Sequence, residues 1–351
     1  MIDIIKIFIP TAAAFLIGVS IAPLVTYHLY KWKAWKKKPG KTAMDGQEAV
    51  EFNKIHKENE GKTPRMGGIV IWASVTITVV GLALLSALFP TSLFSELSFL
   101  TRQQTWIPFA TFIIGSLVGL LNDIYDVRHH GNGLRLRVRL LIVSAVALCV
   151  AWWFYSRLGV TSVSIPFDGT LDLGIFIIPF FMLVSLALYA SGVIDGIDGL
   201  SGGVFAIIFA AYAGVAFYQQ QISLAAFSAT VAGGILAFLW FNIPPARFWM
   251  TETGTMGLTM TLAVVAFMTD TIGDGYGLSV LPIIGLPLVL TVLSNIIQIG
   301  SKTFFNKKVF RVAPLHHHFE AIGWPGYKVT MRYWIFSIIS AIIGLTIAIS
   351  S

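Results

Sequence analysis

Four polar segments of this chain place acidic residues beside long apolar stretches. They are 122–126 (NDIYD), 192–203 (GVIDGIDGLSGG), 251–255 (TETGT) and 316–320 (HHHFE). Each lies at the end of a predicted membrane span, where a carboxylate is costly unless it faces water, a cation or a metal ion. The four segments therefore predict a polar site whose chemistry involves charge.

The spacing of Asp195 and Asp198 favours binding of a metal-bridged anion. On a helix the two would share a face, but the surrounding glycines favour a tight turn whose amides are free to approach an anion. Carboxylates on separate loops, with room for water and phosphate oxygens, are typical of Mg²⁺ sites. We therefore predict a diphosphate bridged by Mg²⁺. The alternative is that the acids cap helices or balance Arg135, Arg137 and Arg139.

Three consecutive histidines, His316, His317 and His318, are internal and so are not a terminal tag. Adjacent side chains on a helix point about 100° apart, so a triplet rarely supplies three ligands to one ion. The flanking residues favour a folded amphipathic loop at the membrane interface. Contact with phosphate and structural hydrogen bonding both remain open for these side chains.

Two further segments carry groups that suit a nucleotide. GKTPRMGG at 61–68 joins Lys62 and Arg65 to paired glycines, which could position a phosphate, although it lacks the Walker spacing. Trp249, near Asn242, offers an aromatic face for a base or sugar. A tryptophan at the membrane interface is the commoner structural explanation.

The elements that must position these groups are apolar helices. Of the 351 residues, 56% are hydrophobic and 12% are charged, whereas soluble domains have about 25% charged residues. Apolar runs of about 20 residues can cross a hydrocarbon core of about 30 Å, and they lack the alternation of a membrane barrel. This composition excludes a soluble globular protein. The single cysteine, Cys149, can form no internal disulfide.

We predict an all-α polytopic membrane protein with about ten transmembrane helices in a single domain, residues 1–351. Pro282, Gly285 and Pro287 permit a bend in the ninth span. The predicted spans are 4–30, 66–89, 105–121, 139–156, 174–190, 202–218, 222–241, 254–269, 278–300 and 332–350.

The basic residues predict the orientation. Of the 24 Lys and Arg residues, all but Lys6, Arg102 and Arg157 fall on one side of the predicted spans. The positive-inside rule then puts both termini outside. The same charges attract anionic headgroups, and we expect no nucleic-acid partner. The loops predicted to be cytoplasmic and to form the active site are 31–65, 122–138, 191–201, 242–253 and 301–331.

Taken together, these loops resemble the phospho-N-acetylmuramoyl-pentapeptide transferases, within the polyprenyl-phosphate N-acetylhexosamine 1-phosphate transferases. The similarity keeps motif order from about residue 50 to 335. Its most specific part is APLHHHFEAIGWP at 313–325. The segments that also agree are TPRMGG at 63–68, DGIDGL at 195–200 and WFNIPPARFWM at 240–250.

The resemblance implies an Mg²⁺-dependent phosphoglycosyl transferase of peptidoglycan synthesis. Its substrates would be UDP-MurNAc-pentapeptide and undecaprenyl phosphate, and its products lipid I and UMP. It would be a multi-pass protein of the bacterial inner (cytoplasmic) membrane, with its active site at the cytoplasmic face of the bilayer. A homodimer is implied by the resemblance alone.

Carried over by position, the resemblance assigns catalytic roles to Asp123, Asp195, Asp198 and His317. Asp123 matches the second acid of an Asp-Asp pair proposed to deprotonate the lipid phosphate, and Asp198 lies near the uracil. Glu252, together with Asp195, would hold the metal. The remaining matched positions, which would bind substrate, are Lys62, Asn122, Asn242, Trp249, His316 and His318.

Several positions depart from the family pattern, and the usual lysine before the TPxMGG segment is displaced, with Lys62 adjacent to Thr63. The first acid of the pair is Asn122, an expected asparagine is Gly192, and a Gly-Asp-x-Gly-Ser metal loop reads TETGT from Thr251, with Glu252 in place of Asp. Glu252 keeps the charge on a longer arm, and octahedral Mg²⁺ tolerates little displacement. Two alternatives follow. One is transfer of another UDP-N-acetylhexosamine phosphate, against which the HHHFE loop argues, and the other is a catalytically impaired homologue that binds lipid or nucleotide.

Overall fold

The fold is seen in a computed structural model whose described residues are 2–37, 40, 53, 60–101, 104–129 and 133–350. The predicted loops 31–65 and 122–138 lie partly outside these residues. Regular structure in the described part is almost entirely helical. The helices are α1 (Ile2–Lys31), α2 (Ile69–Leu88), α3 (Leu93–Leu97), α4 (Trp106–Arg128), α5 (Leu136–Leu158), α6 (Ile177–Ser191), α7 (Leu200–Tyr218), α8 (Ile222–Asn242), α9 (Glu252–Met268), α10 (Leu281–Ile284), α11 (Leu286–Phe305), α12 (Leu315–Ala321) and α13 (Gly326–Ile349). The strands are β1 (Ser162–Ile165) and β2 (Gly169–Asp172).

The predicted all-α polytopic membrane architecture is confirmed. Within the described ranges, nine helical segments are long and apolar enough to cross a membrane, and the apolar α9 is shorter, at 17 residues. Each of the ten predicted spans coincides with one of these helices, although several ends differ by a few residues. Helices close their backbone hydrogen bonds internally, which is why apolar runs of this length adopt them in lipid.

Helices α7, α8 and α9 form the core of the bundle. Every residue of α9 from Thr253 to Met268 is buried. Helices α7 and α8 pack on each other, α1 and α2 cover α8, and α13 covers α7. Helices α4 and α6 pack along α9. Because α9 is enclosed by protein, its length of about 25 Å need not match the hydrocarbon core.

The contact between α4 and α9 is made at glycines. A Cβ on Gly119 would lie 2.0 Å from the carbonyl oxygen of Glu252, and one on Gly115 would lie 2.9 Å from Cα of Gly257. A side chain at either position would therefore force the two helices apart. Since Asp123 follows Gly119 by about one turn, this close approach brings its carboxylate to the first residues of α9.

The ninth predicted span, 278–300, differs most from the structure. A short helix, α10, ends at Ile284, and α11 starts at Leu286 and continues to Phe305. Pro287 has no N–H to donate to the preceding turn, so the helix breaks beside Gly285, where the sequence permits a bend. The membrane-crossing helix is therefore the later segment.

A small hairpin lies at the end of the bundle opposite the acidic segments. Strands β1 and β2 pair antiparallel, with Val163 opposite Leu171. Just beyond α9, the buried carboxylate of Asp270 accepts hydrogen bonds from the backbone N–H of Ser164 at 2.8 Å and of Leu278 at 3.0 Å. The hairpin is therefore tied to the end of α9. Apolar runs alone do not predict it, because it occupies a short connection between spans.

Candidate active site

The acidic segments meet at one end of the bundle, where α4 ends and α5 and α9 begin. The loop before α2, the turn between α6 and α7, and the helix α12 complete this end. Asp123, Asp195 and Glu252 converge here around Thr251 and Thr253. The structure therefore places these acids, which come from separate loops, together at one end of the bundle.

Asp123 is fully buried near the end of α4. Its Oδ2 accepts hydrogen bonds from Thr251 Oγ1 at 2.5 Å, Thr253 N at 2.8 Å and Thr253 Oγ1 at 2.6 Å. Its Oδ1 lies 3.5 Å from Nη2 of Arg65, and among the described residues it receives no hydrogen bond. Three donors and a guanidinium therefore fix the carboxylate in one orientation, as expected for a buried charge.

Thr251 holds two of the acids together. Its backbone N–H donates to Asp195 Oδ2 at 2.8 Å, and its hydroxyl lies between Asp123 and the N–H of Met66, which donates to it at 3.0 Å. Its backbone has φ +54° and ψ −169°, a conformation that is essentially reserved for glycine. The family pattern has glycine here, so the threonine accepts backbone strain and contributes a hydroxyl to the site.

Replacing Thr251 separates these two effects. Thr251→Ala keeps the strained backbone and loses the hydroxyl, so we expect a lower Tm and a loss of about 1–3 kcal/mol in unfolding free energy. Thr251→Gly also loses the hydroxyl but relieves the strain, and should be more stable than Thr251→Ala by about 1–2 kcal/mol. Thermal unfolding of both variants in detergent measures the difference. An alanine variant as stable as the glycine variant would contradict the assignment of strain.

Asp195 is enclosed between the turn after α6 and the start of α9. Its Oδ1 accepts a hydrogen bond from Ser201 Oγ at 2.6 Å, while its Oδ2 accepts the one from Thr251 N. Burial raises the pKa of the Asp195 carboxyl, and the hydrogen bonds from Ser201 and Thr251, together with the charge of Arg65, offset part of that rise. The glycine-rich turn after α6 thus places the Asp195 carboxylate where Ser201 and Thr251 donate hydrogen bonds to it.

Glu252, the first residue of α9, forms an ion pair with Arg139 of α5. The hydroxyl of Tyr189 also donates to the same carboxylate oxygen, Oε1, at 3.5 Å. Glu252 and Arg139 face a cavity of about 260 Å³. The other polar residues of the described chain that line this cavity are Lys36, Glu60, Arg65, Asn122 and Asp126.

The basic residues of this cavity each contact an acid. Arg65 Nε lies 3.3 Å from Asp126 Oδ2, in addition to the contact of Arg65 with Asp123, and Lys36 Nζ lies 3.6 Å from Glu60 Oε2. Burial lowers the pKa of the Arg65 guanidinium, but the charges of Asp123 and Asp126 more than offset this, and the net pKa is raised. Arg65 therefore stays charged at the centre of the site.

A second group of residues ties two loops together. Asp198 accepts hydrogen bonds from Trp249 Nε1 at 2.9 Å and from the backbone N–H of Ala246 at 3.0 Å. The buried Asn242 accepts from Gly199 N at 2.9 Å, and its amide donates to the Phe248 carbonyl at 2.8 Å. The structure thus brings the predicted residues Asp198, Trp249 and Asn242 together as a junction that fixes the loop before α9.

The histidines divide between two environments. A Cβ on Gly196 would lie 2.6 Å from Nε2 of His317 and 2.7 Å from Nε2 of His316, so both rings pack on the acidic turn. His317 Nδ1 also contacts Glu320 Oε2 at 2.8 Å. His318 instead accepts a hydrogen bond from the backbone N–H of Arg311 at 3.2 Å. The structure therefore places two of the three histidines at the site, as the helical spacing leads one to expect.

The remaining predicted residues lie at the edge. The Asn122 side chain accepts a hydrogen bond from Leu134 N at 2.9 Å and so anchors the segment before α5. Lys62 is exposed in the loop before α2, and Arg65 of the same loop contacts Asp123 and Asp126. Sequence reasoning missed Arg139 and Tyr189 as partners of Glu252. The basic cluster before and within α5 is the only sequence signal that points to Arg139.

The donor set suits a divalent cation that is held partly by substrate. Among the described residues, no three His, Cys, Asp or Glu side chains are placed to enclose a metal ion. Mg²⁺ usually takes one or two carboxylates and completes its shell with water and phosphate oxygens. Asp195 and Glu252 are oxygen donors from separate elements, and the neighbouring Asp123 Oδ1 is a buried acceptor without a hydrogen bond. These residues fit such a shared site.

A membrane helix bundle with a buried acidic site at one end is consistent with a membrane-bound transferase. The family model described as glycosyl transferase family 4 matches residues 105–270, which include Asp123, Asp195 and Glu252. This match covers the part of the chain in which α4 to α9 assemble the site.

Curated relatives match almost the whole chain. Phospho-N-acetylmuramoyl-pentapeptide-transferase from Anoxybacillus flavithermus is 34% identical over 351 residues, covering 98% of each chain. The protein of the same name from Bacillus subtilis is 33% identical over 343 residues, covering 95% of each chain. That from Caldanaerobacter subterraneus is 31% identical over 294 residues, or 83% of this chain and 85% of its own. The chain belongs to the phospho-N-acetylmuramoyl-pentapeptide-transferase family.

Proposed function

We propose that the protein transfers phospho-N-acetylmuramoyl-pentapeptide from its UDP carrier to undecaprenyl phosphate, giving lipid I and UMP in peptidoglycan synthesis. The observation that carries the proposal is the convergence of Asp123, Asp195 and Glu252 on Thr251 and Thr253, in a chain that belongs to this family. The proposed location is the bacterial cytoplasmic membrane, with both termini outside and this site at the cytoplasmic face.

In the proposed reaction, an oxygen of the lipid phosphate attacks the β-phosphorus of the UDP-sugar. The bond from that phosphorus to the bridging oxygen breaks, and UMP leaves with the oxygen. Such transfers require positioning and charge stabilisation more than covalent chemistry. When bound by Asp195 and Glu252, Mg²⁺ would neutralise charge on the diphosphate.

The chain's own residues supply the rest. Arg65 and Arg139 border the cavity beside the acids and supply fixed positive charge for phosphate oxygens. A phosphate nucleophile is already largely ionised at neutral pH, so we assign Asp123 to orienting Arg65 and the Thr251 loop. The pair Asp198 and Trp249 presents a half-buried indole that suits stacking on uracil, and His316 and His317 border the acidic turn.

The test is release of UMP from UDP-N-acetylmuramoyl-pentapeptide by detergent-purified protein. We expect release that requires both undecaprenyl phosphate and Mg²⁺. The matched variant is Glu252→Asp, which restores the shorter acid of the family pattern.

Three outcomes separate the candidates. Release that needs both lipid and metal supports the transferase. Release only by Glu252→Asp would identify a lineage impaired at its metal ligand, because the shorter acid would then restore the missing geometry. If neither the natural protein nor Glu252→Asp releases UMP but both still bind UDP-sugar, the proposed activity is overturned. A binding role or another UDP-N-acetylhexosamine substrate would then be favoured.

A further inference from the structure

Arg139 contacts Glu252, the proposed metal ligand, beside the cavity. Its guanidinium pairs with Glu252 Oε1, and both residues line the cavity wall. The neighbouring Arg135 and Arg137 are exposed, whereas Arg139 is partly buried. This arginine is therefore directed at the site, in contrast to the other two.

The position of Arg139 on its helix does not explain its presence. It lies in the first turn of α5, which begins at Leu136. A cation near a helix N-terminus interacts unfavourably with the helix dipole, while Glu252 at the start of α9 interacts favourably. The attraction that holds Arg139 in place is therefore the carboxylate of Glu252.

The described lining of the cavity is balanced in charge. Among the described residues, the cavity lining has three basic and three acidic side chains, and each basic residue is close to one of these acids. The pairs are Lys36 with Glu60, Arg65 with Asp126, and Arg139 with Glu252. A divalent cation that binds Glu252 without an added anion must lie close to the guanidinium of Arg139, and the two cations beside one carboxylate repel each other.

We propose that Arg139 is an internal counter-ion that competes with the divalent cation for Glu252. This inference rests on the proposed function in one respect: a diphosphate would accept the displaced guanidinium. Arginine binds phosphate oxygens through a planar fork of donors, so the transfer of Arg139 from carboxylate to phosphate keeps it paired. Metal and diphosphate then enter together, and each raises the affinity for the other by the same factor.

The experiment measures Mn²⁺ binding to detergent-purified protein without nucleotide, using the electron paramagnetic resonance signal of free Mn²⁺. Arg139→Gln removes the competing charge and keeps a polar side chain, so we expect Mn²⁺ to bind about tenfold tighter or more than to the natural protein. Arg137→Gln removes the same charge from an exposed position on the same helix and should leave the affinity unchanged. A second substitution, Glu252→Gln, should abolish the gain in the Arg139→Gln protein.

Unchanged Mn²⁺ affinity in Arg139→Gln, or a gain that survives Glu252→Gln, would overturn the inference. If Arg139→Gln does not fold, Arg139→Met also removes the competing charge, keeps an unbranched side chain, and should bind Mn²⁺ more tightly than the natural protein. Equal Mn²⁺ affinities of that variant and the natural protein would also overturn the inference. The Mn²⁺ measurement uses no UDP-sugar. If Arg139→Gln binds Mn²⁺ more tightly but the natural protein releases no UMP, the proposed function is contradicted and the inference about Arg139 is not.

Discussion

Asp123→Asn protein should release UMP at least about a hundredfold more slowly than the natural protein, because a preorganised charge is lost from the site. Oδ2 of this residue receives three hydrogen bonds, and Oδ1 lies beside Arg65. An amide can satisfy the donors with its oxygen only by turning its NH₂ group toward the guanidinium. The measurement is the rate of UMP release at saturating lipid and UDP-sugar.

The matched control is Asp126→Asn, which removes the other acid that contacts Arg65 and leaves the hydrogen bonds of Thr251 and Thr253 to Asp123 in place. We expect a loss of less than about tenfold from this variant, since Asp123 still orients Arg65. Equal losses from the two variants would show that only the charge around Arg65 matters. Unimpaired turnover by Asp123→Asn would remove Asp123 from the mechanism.

Arg65→Met should lower the unfolding free energy by about 3 kcal/mol, because it leaves the fully buried Asp123 without its counter-ion. Methionine can fill the volume of the aliphatic part of the side chain, so the cost comes mainly from the uncompensated charge. Thermal unfolding in a mild detergent and unfolding by titration with a denaturing detergent both measure the change in stability.

The double variant Arg65→Met with Asp123→Asn tests the cause. If the buried charge is responsible, neutralising Asp123 should recover much of the stability lost in Arg65→Met, and the two effects should be strongly non-additive. Arg65→Lys keeps a charge but cannot contact Asp123 and Asp126 with separate nitrogens, so an intermediate stability is expected. Additive losses in the double variant would contradict an ion pair as the source of stability.

The helices could be predicted from the sequence because lipid leaves the backbone few alternatives. Even α9, which is enclosed by protein, follows an apolar run that the composition makes visible. The hairpin of β1 and β2 and the break at Gly285 depend on local turns and on the distant Asp270, so hydropathy does not predict their limits. The close approach of Gly119 to α9 also has no signal in hydropathy.

The positions of the acids could be predicted, but their partners could not. Asp123, Asp195 and Glu252 all lie at the ends of predicted spans, which is why their clustering could be predicted. The partner of Glu252 is Arg139, 113 positions away, and such a pair depends on how α5 and α9 are packed. The junction of Asp198 with Trp249 likewise joins residues 51 positions apart.

The two ends of α9 are both held by protein groups. Glu252 pairs with Arg139 at one end, and Asp270 holds the hairpin and the segment at Leu278 beyond the other. A helix anchored in this way and shielded from lipid cannot tilt or slide to follow the thickness of the surrounding bilayer. Lipids with longer or shorter acyl chains would act on the outer helices, whose tilt responds to hydrophobic mismatch. The depth of the carboxylate site is therefore set by the protein and not by the host membrane.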